Sequence, residues 1–257
     1  MVQRLRAAIP TENRVAAVRG TLRLVQLDRD ASQFSNLPDG TWVIAHGWFM
    51  HPLAGDRYDF PFPESVRPVF LSFHCHSEDL LSERVCDYLR ANGPVGCRDL
   101  STLQMLTVRS VPAYFTGCLT STLGVLGRRG SESHSGLPRV AVDVRPIPSG
   151  FAALTHMDAG LRTRSLGQGL EQALDRVLAY RDQTSDILTS RLHCYLPARA
   201  LGCDARFVPD DPGNPRFSGL SELTDLAFET MGVQLSDLCG QLLEALVGWS
   251  DADGRAG

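Results

Sequence analysis

The sequence predicts an α/β protein built from two Rossmann-like domains with a central cleft and largely parallel sheets. Short β-rich runs alternate with helical patterns along the chain, several strand candidates are continuous apolar runs, and a polar Gly/Ser-rich stretch interrupts the middle. Alternating strand and helix gives parallel pairing, because each helix carries the chain back to the start of the next strand. Continuous apolar runs fit strands covered on both faces. A chain of 257 residues is long enough for two domains of about 100–150 residues each.

The expected elements run in order. Strands are predicted at Leu22–Leu27, Trp42–Ala45 and Val69–Phe73, followed by a helix at Glu78–Ala91. A brief strand Val95–Cys97, a helix Leu100–Thr107 and a strand Ala113–Phe115 complete the first half. Gly127–Pro138 is polar and rich in Gly and Ser, so the linker is placed at about 128–137, between a domain over 1–127 and another over 138–257. The second half reads as strands Val140–Val144 and Ala152–Thr155, helix Leu170–Arg181, strand Asp186–Thr189, helix Leu192–Leu201 and strand Ala205–Val208. Pro209–Pro215 holds three prolines in seven residues and must be a loop. A long helical segment from Leu220 to Val247 follows.

Composition narrows the chemistry. All 25 Lys-plus-Arg positions are Arg, which excludes a Schiff-base lysine and a P-loop lysine and leaves anions to Arg, His or backbone N–H groups. A net charge of −4 argues against a general nucleic-acid binder. The charged start Met-Val-Gln-Arg-Leu-Arg has no apolar run behind it, and no stretch reaches the ~18 apolar residues of a membrane span, so a cytoplasmic protein is expected. The seven cysteines include no CxxC pair and read as buried thiols. In His74-Cys75-His76, strand alternation turns Cys75 away from both histidines, so no metal is expected.

Three segments combine a strand end, a turn and polar residues, the place where open α/β sheets gather ligands. In Gly96-Cys-Arg98-Asp99, Asp99 suits the N-cap of the next helix, and Arg98 stands where anions bind or in a buried ion pair. In Thr189-Ser190-Arg191-Leu-His193, the positive end of a helix disfavours a protonated His193. In Asn214–Leu220, Arg216 either closes over an anion or is solvated. Gly96, Gly117 and Gly202 suit turns or close packing, and neither GxGxxG nor a Walker sequence occurs.

These residues also form a recognisable series. Asp28-Arg-Asp30, Gly47–Met50, Leu71–His74, Gly96–Leu103, Val111–Thr120, Leu154–His156, Thr189–His193 and Arg216–Leu220 occur in that order, and together they resemble the polysaccharide pyruvyl transferase family. The resemblance implies a GT-B-like fold and transfer of a pyruvyl (carboxyvinyl) group from phosphoenolpyruvate to hydroxyls of a glycan or lipid-linked glycan, as in exopolysaccharide biosynthesis. It implies catalytic roles for His193, as the acid–base residue, and for Arg98, as a binder of the donor's phosphate or carboxylate. Arg216, Arg191, Ser190, His156, Asp99 and Gly117 fall among the implied substrate-binding residues. No metal or organic cofactor is implied beyond phosphoenolpyruvate as donor co-substrate, and a homo-oligomer is compatible. The chemistry agrees: protonating C3 of the enol makes C2 electrophilic, which suits His, and guanidinium groups suit phosphate and carboxylate.

The chain departs from the family pattern in two places. Ile9–Arg14 lacks the family's Gly-Asp loop, and His46 stands where Asn is expected. Two alternatives therefore stay open: a GT-B-type glycosyltransferase using a nucleotide sugar, and a degenerate, non-catalytic family member acting as a binding protein.

Overall fold

A computed structural model describes residues 36–48, 60–130, 134, 136–157 and 164–253. The chain is α/β, with two four-stranded sheets whose strands are all parallel. The expected strand at 22–27, the Asp28–Asp30 motif and the Ile9–Arg14 region lie outside the described residues.

In the first sheet, β1 (Thr41–Trp48), β2 (Val66–His74), β3 (Val95–Cys97) and β4 (Ala113–Phe115) lie side by side in chain order. Helix α1 (Glu83–Ala91) joins β2 to β3, and α2 (Leu100–Val108) joins β3 to β4. The near-continuous burial of β2 confirms a strand covered on both faces. Its Phe70 and Phe73 meet Phe60, Phe62 and Tyr88 in an aromatic cluster with centroids 5.2–6.5 Å apart. Val85, Cys86 and Leu89 of α1 are buried, one face of a helix at helical spacing.

The second sheet contains β5 (Arg139–Val142), β6 (Phe151–Leu154), β7 (Asp186–Thr189) and β8 (Asp204–Phe207) in the order β6-β5-β7-β8. Helix α3 (Leu166–Gln183) connects β6 to β7, α4 (Leu192–Ala200) connects β7 to β8, and α5 (Asp225–Asp253) ends the described chain. Val140, Val142, Ile187, Cys194, Ala198 and Leu201 form its core.

Packing does not divide the chain at one point. The described residues up to Leu119 group with Asp211–Leu226, and Thr120–Asp210 groups with the residues from Ala227 onward. Asp211–Leu226 is held in the first unit by buried Phe217 and Leu220 and by the Leu100 N–H donating to Ser218 O at 3.1 Å. Of the expected linker, residues 131–133 and 135 lie outside the described residues. Its early part is anchored, since the Arg129 N–H donates to Leu201 O at 2.7 Å.

Three helix boundaries differ from expectation, each for a local reason. The helix expected over Glu78–Ala91 is split, because Ser82 is extended (φ −61°, ψ 160°) and separates a 3₁₀ turn at Glu78–Leu80 from α1. Helix α3 starts at Leu166 rather than Leu170, because Ser165 and Gln168 form a reciprocal capping box. The last helix starts at Asp225 rather than Leu220, because Leu220 is buried in the first unit. Among the described residues, no helix is long and apolar enough to cross a membrane.

Candidate functional site

Polar residues gather at the carboxyl edges of both sheets, where parallel strands end and the loops leave for the helices. Each edge forms its own network, and the expected site residues divide between the two. Arg98, Asp99, Gly117 and Arg216 belong to the first unit; His156, Ser190, Arg191 and His193 belong to the second.

At the first edge, Arg98 and Asp99 follow β3 and are both fully buried. Asp99 caps α2, as its position before the helix predicts: Oδ1 accepts from the Thr102 N–H and Oγ1–H, each at 2.9 Å. Its Oδ2 lies 2.6 Å from His74 Nδ1 and 3.3 Å from Arg98 Nη2. The ring nitrogen facing the carboxylate therefore carries a proton, so Asp99 fixes the tautomer of His74. Burial lowers the His74 pKa, with Asp99 opposing and Arg98 reinforcing that shift.

Arg98 meets one of the two expectations for its position, the buried ion pair. It forms the buried ion pair with Asp99, and its Nη2 donates to Arg216 O at 3.5 Å. Its Nε and Nη1 have no hydrogen-bond partner among the described residues. Burial holds the guanidinium below its ordinary pKa, against the pull of Asp99, and the charge of Arg216 adds to that lowering. Arg216 itself is half-buried, with its guanidinium carbon 4.6 Å from the centroid of the Phe217 ring.

Gly96 and Thr116 show why small residues stand in this edge. A Cβ on Gly96 would lie 2.7 Å from Thr116 Cγ2 and 2.9 Å from Phe70 O, so two neighbouring strands close over it. The Thr116 hydroxyl donates to Cys97 O at 3.0 Å and accepts from the Ser72 N–H at 3.2 Å. Gly117 adopts φ +74°, which fits the turn expected there but gives it no side chain to offer a ligand. Ser72 is fully buried with φ +57°, a backbone conformation uncommon outside glycine. Burial pushes the Cys75 and Cys97 thiols up to about 12, which removes them as nucleophiles near neutral pH.

His46, near the end of β1, completes this edge. Burial and the charge of Arg98 lower its pKa to about 4. Since an unfolded histidine titrates near 6.5, the unfolded chain takes up a proton between about pH 6.5 and 4 that the folded chain refuses. Stability from this group is full above pH 6.5 and falls as the pH drops, by about 2 kcal/mol after allowing for partial exposure. His46→Gln should flatten that part of the profile, measured as the urea midpoint against pH.

At the second edge, the central residue is Asp143, just beyond β5. Its Oδ1 accepts from Thr155 Oγ1–H at 2.6 Å. Its Oδ2 accepts from the His156 N–H at 3.2 Å and from Arg191 Nε–H at 3.0 Å. Its backbone carbonyl accepts from Ser190 Oγ–H at 2.6 Å. His156, Ser190 and Arg191 are thus brought together. The His156 Nε2 lies 2.5 Å from the Tyr180 hydroxyl, and burial, with the charges of Arg176 and Arg191, lowers its pKa. His193 is exposed in the first turn of α4, two residues after Arg191.

Sequence reasoning missed His46, His74, Thr102, Thr116 and Asp143 as members of these edges. His74 carried a signal, since it ends the strand whose neighbour bears Arg98-Asp99. Among the described residues, no group of three or more His, Cys, Asp or Glu side chains is placed to hold a metal ion. Comparisons with protein-family models, curated proteins and solved structures find no match.

Proposed function

We propose that the protein is a transferase of the polysaccharide pyruvyl transferase kind, moving a pyruvyl group from phosphoenolpyruvate to hydroxyls of a glycan. The proposal includes the GT-B-like two-domain architecture. The observation that carries it is Arg98: a fully buried guanidinium at a sheet's carboxyl edge, ion-paired to Asp99, with two N–H-bearing nitrogens that lack partners among the described residues. An oxyanion such as the donor's phosphate or carboxylate could accept a charge-assisted hydrogen bond from either of these nitrogens.

The grouping of the family-like motifs adds support. Residues from Leu71–His74, Gly96–Leu103, Val111–Thr120 and Arg216–Leu220, distant in sequence, share one network, and Leu154–His156 and Thr189–His193 share the other. In the first unit, a hollow of about 400 Å³ is lined by Ser101, Gln104, Asn214, Ser218, Ser221 and Glu222 among others. Hydroxyl, amide and carboxylate groups of this kind suit a sugar.

In the proposed reaction, C3 of phosphoenolpyruvate gains a proton, an acceptor oxygen bonds to C2, and the C2–O bond to phosphate breaks. A second hydroxyl of the same acceptor closes the ketal. The two hydroxyls together release two protons, one balancing the proton gained at C3 and the other leaving with phosphate. His193 is the proposed proton donor to C3.

The test is phosphate release from phosphoenolpyruvate with a panel of glycan acceptors, with product mass confirming addition of one pyruvyl group. Acceptor-dependent release is expected, and His193→Ala should lower it about a hundredfold with unchanged thermal stability, because the side chain is exposed. No release with any acceptor, together with no thermal stabilisation by phosphoenolpyruvate, would overturn the proposal. Stabilisation by a nucleoside diphosphate alone would instead indicate a nucleotide-sugar donor.

A further inference from the structure

We propose that Asp143 is a positioning residue of the second carboxyl edge, holding Arg191 and His156 in register and fixing the backbone that leads into His193. This inference rests on the transferase reading for its kinetic consequence, but its geometry stands independently.

Asp143 unites three loops that are far apart in sequence. Its own loop follows β5; Thr155 and His156 follow β6; Ser190 and Arg191 follow β7. The carboxylate accepts three hydrogen bonds from the latter two loops, at 2.6, 3.2 and 3.0 Å. The backbone carbonyl accepts a fourth, from Ser190 Oγ–H at 2.6 Å, and the backbone N–H donates to Leu154 O at 3.0 Å. Asp143 does so at φ +54°. Aspartate tolerates this region better than most residues, yet such a conformation persists only where its surroundings fix it, and these cases concentrate at functional sites.

The consequence for chemistry runs through the start of α4. Arg191 is the N-cap residue of that helix but makes no side-chain cap. Its side chain is instead directed to Asp143, while Ser190 is tied to the Asp143 carbonyl. Both residues immediately preceding the His193 turn are therefore anchored on Asp143. Misplacing a reacting group by about 1 Å can cost a hundredfold in rate, so an anchor at this point affects turnover more than donor affinity. Asp143 also acts electrostatically on His156, raising its pKa against the lowering by burial, Arg176 and Arg191.

Asp143→Asn tests this directly. The amide keeps the size of the side chain and can still accept from Thr155, but an NH₂ group cannot accept from Arg191 Nε–H or the His156 N–H. Two NMR readouts need no substrate. The Arg191 Nε–H signal, assigned by its absence in Arg191→Gln, should lose its protection from solvent exchange, and the His156 ring should titrate at lower pH than in the wild type. These readouts report the contacts themselves; a purely structural role would move them and the melting temperature but leave kcat of the folded variant unchanged. In the phosphate-release assay, kcat should fall about tenfold or more, with KM for phosphoenolpyruvate within about twofold.

An Arg191 signal and a His156 titration identical to the wild type in folded Asp143→Asn would overturn the inference. So would wild-type kcat in that variant when the parent protein is active. If the wild type releases no phosphate with any acceptor, the transferase reading falls, and the NMR pair alone decides whether Asp143 positions these side chains. If Asp143→Asn does not fold, Arg191→Gln provides the second probe. It removes the same ion pair from its half-exposed end, and the His156 titration should then move upward, because a neighbouring positive charge is lost; no movement would overturn the inference.

Discussion

Replacing Asp99 with Ala is expected to lower the unfolding free energy by about 3–5 kcal/mol, the range for breaking a buried ion pair from one side. Both Asp99 and Arg98 have fully buried side chains, so the guanidinium would be left buried without its neutralising carboxylate. The same change removes the acceptor for His74 Nδ1–H and the cap of α2, where Oδ1 accepts from the Thr102 N–H and hydroxyl. Loss of an N-cap alone costs about 1 kcal/mol. Urea unfolding at fixed pH measures the total. A double variant, Asp99→Ala with Arg98→Leu, should be less destabilised than the sum of the singles, because removing both charges leaves no buried ion uncompensated. Strict additivity would show that the pair is not coupled.

Arg129→Ala should destabilise the second unit by about 3 kcal/mol through the end of α3, given about 1.5–3 kcal/mol for each charged hydrogen bond and incomplete additivity. Helix α3 ends at Gln183 with its last carbonyls lacking intrahelical partners, as every helix end does. The Arg129 guanidinium reaches Tyr180 O at 2.7 Å, Arg181 O at 2.8 Å, Thr184 O at 2.5 Å and Ser185 O at 3.4 Å. A cation at this end also meets the negative end of the helix dipole. Arg129→Lys should recover only part of the loss, since one ammonium cannot span that spread of carbonyls. Hydrogen exchange should show the effect as faster exchange in the last turn of α3; uniform protection in both variants would count against it.

Much of the fold was legible in the sequence because it depends on local periodicity. The run Val69–Phe73, with its apolar residues in succession, predicts a strand covered on both faces, and the structure buries nearly all of β2. Asp99 before Leu100-Ser-Thr reads as a cap, and it caps. Failures were also local in cause. Ser165 and Gln168 form a capping box that starts α3 four residues earlier than its apolar pattern suggests, a signal present in the sequence but masked by the glycines at 167 and 169.

The candidate sites were legible only in outline. Arg98, Arg191 and Ser190 could be placed at strand ends, because a strand-to-helix junction is a sequence feature. Their partners could not. Asp143 falls within the strand expected over Val140–Val144, which ends at Val142, and nothing local marks it as the residue on which Thr155, His156, Ser190 and Arg191 converge. The strand alternation expected across His74-Cys75-His76 does not apply, because β2 ends at His74, and the pattern of one strand says nothing about the loop after β3 that brings Asp99 to His74.

By itself, the sequence determined the α/β class, the parallel pairing and the absence of lysine chemistry, since these follow from periodicity and composition. Tertiary structure alone decided which polar residues meet and that Arg98 is fully buried. The physical reason is that parallel strands bring their carboxyl ends together only after helical crossovers have closed, so residues 25 or 48 positions apart become neighbours through the sheet, as His74–Asp99 and Asp143–Arg191 do.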